Sequence, residues 1–211
     1  MPARPVKARR GYDASGRRLA AARRRAAVLD AAARLFAAHG YAGTTIAAVA
    51  AEAGVSVETV YKRFGGKAGL VRALWERGLA GEGPEHAEWR SDRAASSATD
   101  PRTLIRRWTE LGAEVAPRAA PVLLMIRAAA GTDPEMARLR DRIHTERLER
   151  MERNAGALAA HLRDGVTVAQ ARDVLVAYTT AELFESLVLH QGWSPEEFAD
   201  FQRRGIEAQL L

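Results

Sequence analysis

Apolar residues recur at helical spacing along most of the chain. Val28, Leu29, Ala32, Leu35 and Phe36 form one stripe of a helix predicted over about residues 19–39, with Arg23, Arg24, Arg25 and Arg34 facing outward. Gly40 ends that helix, Tyr41 packs behind the turn, and His39 sits at the helix C-terminus, where positive charge is favoured. From Thr44 the pattern tightens. Thr44 is placed to cap a short helix over about 45–53, with Ile46, Val49 and Ala50 on one face, and Gly54 stops it by accepting a left-handed backbone. Val55 turns inward. Ser56 caps a second helix over about 57–64, which buries Val60 and Phe64 and leaves Glu58, Thr59, Tyr61, Lys62 and Arg63 outside. Ala50 stands four residues before Gly54 and Val60 six after it, which gives a small residue at the crossing and a branched one to lock it. That spacing reads as a helix-turn-helix, whose second helix fits a DNA major groove; the plainer alternative is an αα-hairpin with a glycine turn.

Lys67 opens a further helix to about residue 79, with Leu70, Val71, Leu74 and Trp75 as its apolar face. A lysine at a helix N-terminus opposes the dipole, a conflict that a nearby phosphate would remove. Residues 80–99 are small and polar without a sustained period and read as a linker, with Trp89 as an isolated anchor. A second helical domain follows. Asp100 and Pro101 begin a helix to about 118 with Leu104, Ile105, Trp108, Leu111 and Val115 inward, and Pro121 opens another apolar segment. Asp133 and Pro134 start a long helix to about 163. Thr167 with Gln170, and Ser194 with Glu197, form capping boxes for helices to about 189 and to the C-terminus.

Composition sharpens this picture. Alanine, leucine, arginine and glutamate dominate and β-branched runs are missing, so the fold expected is all-α. The net charge is +6, and residues 1–25 hold nine Arg or Lys against one Asp, which leaves −2 for the remainder. A basic arm beside the helix-turn-helix would add salt-dependent phosphate contacts; its alternative is a solubilising tail. Cysteine is absent, which excludes disulfides and thiolate metal sites and fits a cytoplasmic location. No apolar stretch approaches the ~20 residues of a membrane span, so no membrane partner is expected. The five histidines lack metal-ligand spacing, and no phosphate loop, nucleophile elbow or HExxH motif is present. No enzyme, metal or cofactor is therefore expected.

The segments LFAAHGYAGTT, AGVSVETVYKRF and GGKAGL, from Phe36, Gly40 and Tyr41 through Lys67, resemble the N-terminal domain of the tetracycline-repressor (TetR) family of transcriptional regulators over roughly fifty residues. DPRTLIRRW, RAAAGTDPEM and GWSPEEF resemble a subgroup of that family more loosely. The resemblance implies a ligand-responsive regulator, a repressor, that binds a palindromic DNA operator as a homodimer. It also implies a four-helix bundle made by the last two helices of each subunit, and a small-molecule pocket among the middle helices. The expected division is a basic arm (1–18), a helix-turn-helix domain (19–66) and a ligand-binding and dimerisation domain (67–211). A DNA-architectural protein without ligand response is the alternative.

For DNA the candidates are Thr44, Ser56, Glu58, Thr59, Tyr61, Lys62 and Lys67. By resemblance Thr44, Tyr61 and Lys67 match positions that meet phosphates, while Thr59 and Lys62 lie where base edges are reached. Val57 and Glu58 depart from the family pattern. Glu58 either accepts from cytosine N4 or pairs with Lys62 at i,i+4, the latter being favoured because it needs no DNA. For the unknown small molecule the candidates are Trp108, Leu111, Leu124, Met125, His144, Arg147, Tyr178 and Phe184, large or polar groups on helices expected to meet. The closing helices carry more apolar surface than one side of a monomer needs. Leu183, Leu187, Val188, Phe198, Phe201 and Leu210 are the candidates for a dimer interface, against an ordinary core.

Overall fold

Ten α-helices, and no strand, carry residues 14–80 and 85–211, the part of the chain that the computed structural model describes. The first three are α1 (Ala14–Gly43), α2 (Ile46–Glu52) and α3 (Val57–Phe64). Gly40 breaks α1 at the expected stop, with φ 67° and ψ 178°. The helix begins earlier than its apolar stripe suggests. Residues 14–18, assigned above to a basic arm, form the first turn of α1, continuous with the alanine- and arginine-rich run 17–27 that favours helix; the rest of that arm, 1–13, lies outside the described residues. Next come α4 (Lys67–Ala80), α5 (Ala87–Ser97) and α6 (Pro101–Ala129). α5 corrects the reading of 80–99 as an unstructured linker: Ala87 and Ser91 are buried, while Trp89 is 65% exposed and anchors nothing.

The apolar segment after Pro121 is not a separate helix. α6 runs through Pro117 and Pro121 without ending, although each proline removes one i→i−4 hydrogen bond, because α4, α5, α7, α9 and α10 all pack against it. Of these, α7 (Pro134–Leu158) is capped by Asp133, whose carboxylate accepts from the Glu135 and Met136 amides, and it ends in a 3₁₀ turn (Ala159–His161), short of residue 163. The helix expected to run from 167 to 189 is broken. α8 (Val168–Tyr178) stops at Thr179, and Thr180 caps a new helix, α9 (Ala181–Phe184), which continues as a π-helical turn (Glu185–His190). Thr179 turns its hydroxyl back onto Leu175 O at 2.7 Å, and a pair of β-branched threonines is a poor continuation of a helix. α10 (Pro195–Leu210) closes the chain behind the Ser194–Glu197 capping box, and the Thr167–Gln170 box is formed as well.

Two apolar clusters fill the interior. One holds Val28, Leu29, Phe36, Val49, Val60, Leu70 and Val71 of the helix-turn-helix end and continues without a break into Leu123, Ile126, Met136, Phe184 and Phe198. The other gathers Leu104, Ile105, Leu158, Leu175, Ile206 and Leu210 at the far end. Phe198 and Leu210 are therefore buried inside one chain, which corrects their reading as dimer-interface residues: Phe198 meets Phe184 edge to face at 5.6 Å, and Leu210 is fully enclosed. Leu183, Leu187, Val188 and Phe201 are partly buried, and Leu189 beside them is 53% exposed.

Candidate functional site

Local hydrogen bonds fix the α2–α3 unit. Thr45, rather than Thr44, caps α2 by accepting from the Ala48 amide at 3.1 Å. At the other end the Gly54 amide reaches Ala51 O and the Val55 amide reaches Ala50 O, the paired bonds of a left-handed glycine cap. Ser56 accepts from the Thr59 amide at 3.2 Å, and its hydroxyl lies 2.9 Å from that of Thr59. Gly65, at φ 76°, ends α3. Val60 is wholly buried, so Val57, Glu58, Tyr61 and Lys62 stand on the open side of α3, with Tyr61 52% exposed.

Two of the seven residues expected at DNA are used inside the protein. Thr44 is 2% exposed and its hydroxyl donates to Leu35 O or Gly40 O, at 3.1 and 2.8 Å, so it braces the broken end of α1 and faces no phosphate. Lys67 donates through Nζ to Tyr41 O at 2.8 Å and Thr44 O at 3.2 Å, and the ammonium lies 4.2 Å from the centre of the Tyr41 ring. Its charge neutralises carbonyls at the end of α1, so its position at the head of α4 needs no phosphate to explain it. Glu58 and Lys62 form no ion pair within 4.0 Å among the described residues, contrary to the favoured pairing; Glu58 sits in the first turn of α3, where its charge suits the dipole. Missed in the sequence was Thr45, exposed at the head of α2 and masked by the adjacent threonine. Gly69 was missed too: a Cβ there would lie 1.6 Å from Phe64 O, so only glycine lets α4 pass beneath α3. Tyr41 also reaches out of this unit. Its hydroxyl donates to Asp133 Oδ2 at 2.8 Å, across 92 residues, and this bond holds the Asp133 carboxyl below its ordinary range, while burial, followed by the bond to Asp133, raises the Tyr41 phenol.

A cavity of about 240 Å³ opens between α4, α5, α6, α7, α8, α9 and α10. Of the residues expected to line it, Trp108, Leu111, Arg147 and Phe184 do so. The other four do not. Leu124 and Met125 pack into the neighbouring apolar cluster because α6 turns Leu123 to the cavity instead, and His144 is exposed on the outer side of α7. Tyr178 lies on Gly205, where a Cβ would come within 2.3 Å of its ring, and its hydroxyl accepts from Gln209 at 2.9 Å. The wall also holds residues not expected there, among them Trp75, Leu79, Gly112, Ile143, Met151, Asn154 and Gln202. Asn154 and Gln202 are buried polar groups, a signal that needs tertiary structure to become visible.

Arg147 is the unusual member of this wall. It donates to Val176 O at 2.6 Å and Thr179 Oγ1 at 2.8 Å, and no carboxylate lies within ion-pair distance among the described residues. Burial, reinforced by the Arg127 charge, pushes its guanidinium down to about 10, so it remains a cation at neutral pH.

Residues 28–74 match the model for bacterial regulatory proteins of the tetR family. No curated protein matches the chain. Among solved structures, the fatty acid degradation regulator FadR from Bacillus halodurans superposes with a TM-score of 0.71 at 17% identity, covering 88% of this chain and 98% of its own. The transcriptional regulator FadR from Bacillus subtilis, in complex with stearoyl-CoA, gives 0.69 at 17% identity, with 88% and 98% covered. PfmR, a TetR family transcriptional regulator from Thermus thermophilus, gives 0.60 at 19%, with 87% and 96% covered. At these identities the likeness is one of fold, and it extends beyond the matched segment through both halves of the chain. The matched segment contains the whole α2–α3 unit, together with the Gly69 crossing. Residues 28–74, set in an all-α chain, are a domain of the tetR family of bacterial regulatory proteins.

Proposed function

We propose that the protein is a homodimeric repressor that binds a palindromic operator and releases it when a small molecule enters the cavity. The observation that carries this reading is the open face of α3, with Val57, Glu58, Tyr61 and Lys62 presented on a helix closed at both ends. Lys62 reaches guanine O6 or N7, Val57 meets a thymine methyl, and Tyr61, Ser56 and Thr59 border the phosphates, with Thr45 in the place first given to Thr44. Residues 19–66 form the reading domain and 67–211 the ligand-binding and dimerising one. Two copies meet through Leu183, Leu187, Val188, Leu189 and Phe201, setting the two reading helices about one DNA turn, ~34 Å, apart. The FadR of Bacillus subtilis, bound to stearoyl-CoA, supports a small-molecule ligand for a chain of this fold.

The test is protection of the protein's own upstream DNA against a scrambled duplex at ~150 mM salt, where non-specific contacts weaken. A protected short palindrome supports the reading. Equal binding to both duplexes favours an architectural protein, for which the cavity would have no use.

A further inference from the structure

Arg147 places only Nη2 on the C-terminal end of α8, which leaves the rest of its guanidinium without a hydrogen-bond partner or counter-ion among the described residues. Its half-buried guanidinium stands in the wall of a mostly apolar cavity, its bonds go to a carbonyl and a hydroxyl, and the Arg127 charge that acts on it is of the same sign. A charge withdrawn from water without a counter-ion is costly to a fold. The other charges of the wall are accounted for. Arg150 pairs with Glu88 and Asp92, and Glu146 is exposed at the cavity margin, while Arg127, outside the wall, pairs with Glu182. Within the same wall Gln202 Oε1 is buried with no partner among the described residues, although its Nε2 donates to Tyr178 O. Most of the remaining lining is aliphatic or aromatic, Trp75, Trp108, Leu111, Leu123 and Phe184 among it, with Asn154 and the hydroxyls of Ser91, Thr109, Thr179 and Thr180 as the polar exceptions.

We infer that the cavity takes an organic anion with an apolar body, a small monocarboxylate, whose carboxylate pairs with Arg147 while its hydrocarbon lies against Trp108 and Phe184. This rests on the cavity being the ligand site of the regulator. The fork of the guanidinium matches a carboxylate, and a dry surround strengthens the pair. At about 240 Å³ the space falls below the ~300–1,000 Å³ that holds drug-sized ligands, which favours a short acyl chain over a long one. Gln202 Oε1 gives an acceptor for a hydroxyl on such a chain.

Binding is read by the fluorescence of Trp75 and Trp108, without DNA, so its outcome is independent of operator recognition. The probes are hexanoate, octanoate and decanoate, each against the primary alcohol of the same length. At least one carboxylate is expected to bind about tenfold or more tightly than its alcohol, the size of one charge-assisted hydrogen bond. Arg147→Met should remove that preference and leave alcohol binding within about twofold, whereas Arg147→Lys should restore part of it. Equal affinity for acid and alcohol, no binding of any carboxylate, or a preference that survives Arg147→Met would each overturn the inference. If Arg147→Met fails to fold, the acid–alcohol comparison on the unaltered protein still decides. Failure here with a protected operator removes the anion and keeps the regulator; anion binding without operator protection does the reverse.

Discussion

The α2–α3 unit and the cavity satisfy their polar groups over different distances along the chain. Between Thr45 and Gly65 the bonds that fix the helix ends span three to five residues: Thr45 to Ala48, Val55 to Ala50, Ser56 to Thr59, Gly65 to Tyr61. Around the cavity they join residues far apart, as Arg147 joins Thr179, Gln202 joins Tyr178, and Ser91 faces Asn154. The first kind of closure is complete once two turns of helix form. The second exists only when four or more helices have docked, and it leaves Arg147 and Gln202 Oε1 partly unanswered. The open face of α3 is thus built locally, while the cavity is built from distant parts of the chain.

Substitutions separate the two kinds of closure. The largest effect is expected for Phe198→Ala, which opens a hole beside Phe184 in the interior of a single chain; about 3–5 kcal/mol of stability should be lost in chemical denaturation. A small effect there, coupled to loss of the dimer, would return Phe198 to the interface. Gly69→Ala comes next. Its Cβ meets a backbone carbonyl that cannot move aside, so roughly 3 kcal/mol should be lost, and with it DNA binding, measured by thermal unfolding and a mobility shift.

Tyr41→Phe tests the bond that joins the two regions. About 1.5 kcal/mol should be lost at neutral pH, near the lower end for bonds to charged groups. The Asp133 carboxyl is held below its ordinary value, so this stability is present above about pH 4 and disappears as pH falls through the depressed value. The gap between wild type and Tyr41→Phe should therefore close in acid. A gap independent of pH would mean that packing of the phenol, and not its bond to Asp133, is what was lost. Ser56→Ala is the mildest change. It should cost about 1 kcal/mol, appearing as faster amide exchange in α3 with the cavity half unaffected. Faster exchange in α7 or α8 as well would show that the reading unit is not locally closed.

Legibility in the sequence follows the same division. Gly54, Ser56, Thr167 with Gln170, and Ser194 with Glu197 each announce themselves because a cap and its partner lie within one helical turn. The cavity was half legible. Trp108, Leu111, Arg147 and Phe184 reach it, but the rotation of α6 that turns Leu124 and Met125 away is set by α4 and α10 packing on it. Tyr178 is claimed by Gly205, a residue with no side chain to advertise the contact. Lys67 misled for a similar reason, since its carbonyl partners Tyr41 and Thr44 lie over twenty residues away. The length of α6 was hidden by Pro117 and Pro121, which end helices in isolation but not in a crowded interior.

Those two prolines bracket the place where α4 crosses α6. Gly78 rests against Arg118 and Ala119, so closely that a Cβ would lie 3.2 Å from the Ala119 backbone, and Ala116, Ala119 and Ala120 belong to the cavity wall. The helix is missing two hydrogen-bond rungs beside that wall. No side chain at Gly78 separates the two backbones. About 21 Å long at 1.5 Å per residue, α4 is a single rod from this crossing to the α2–α3 unit, which its far end meets at Lys67 and Gly69.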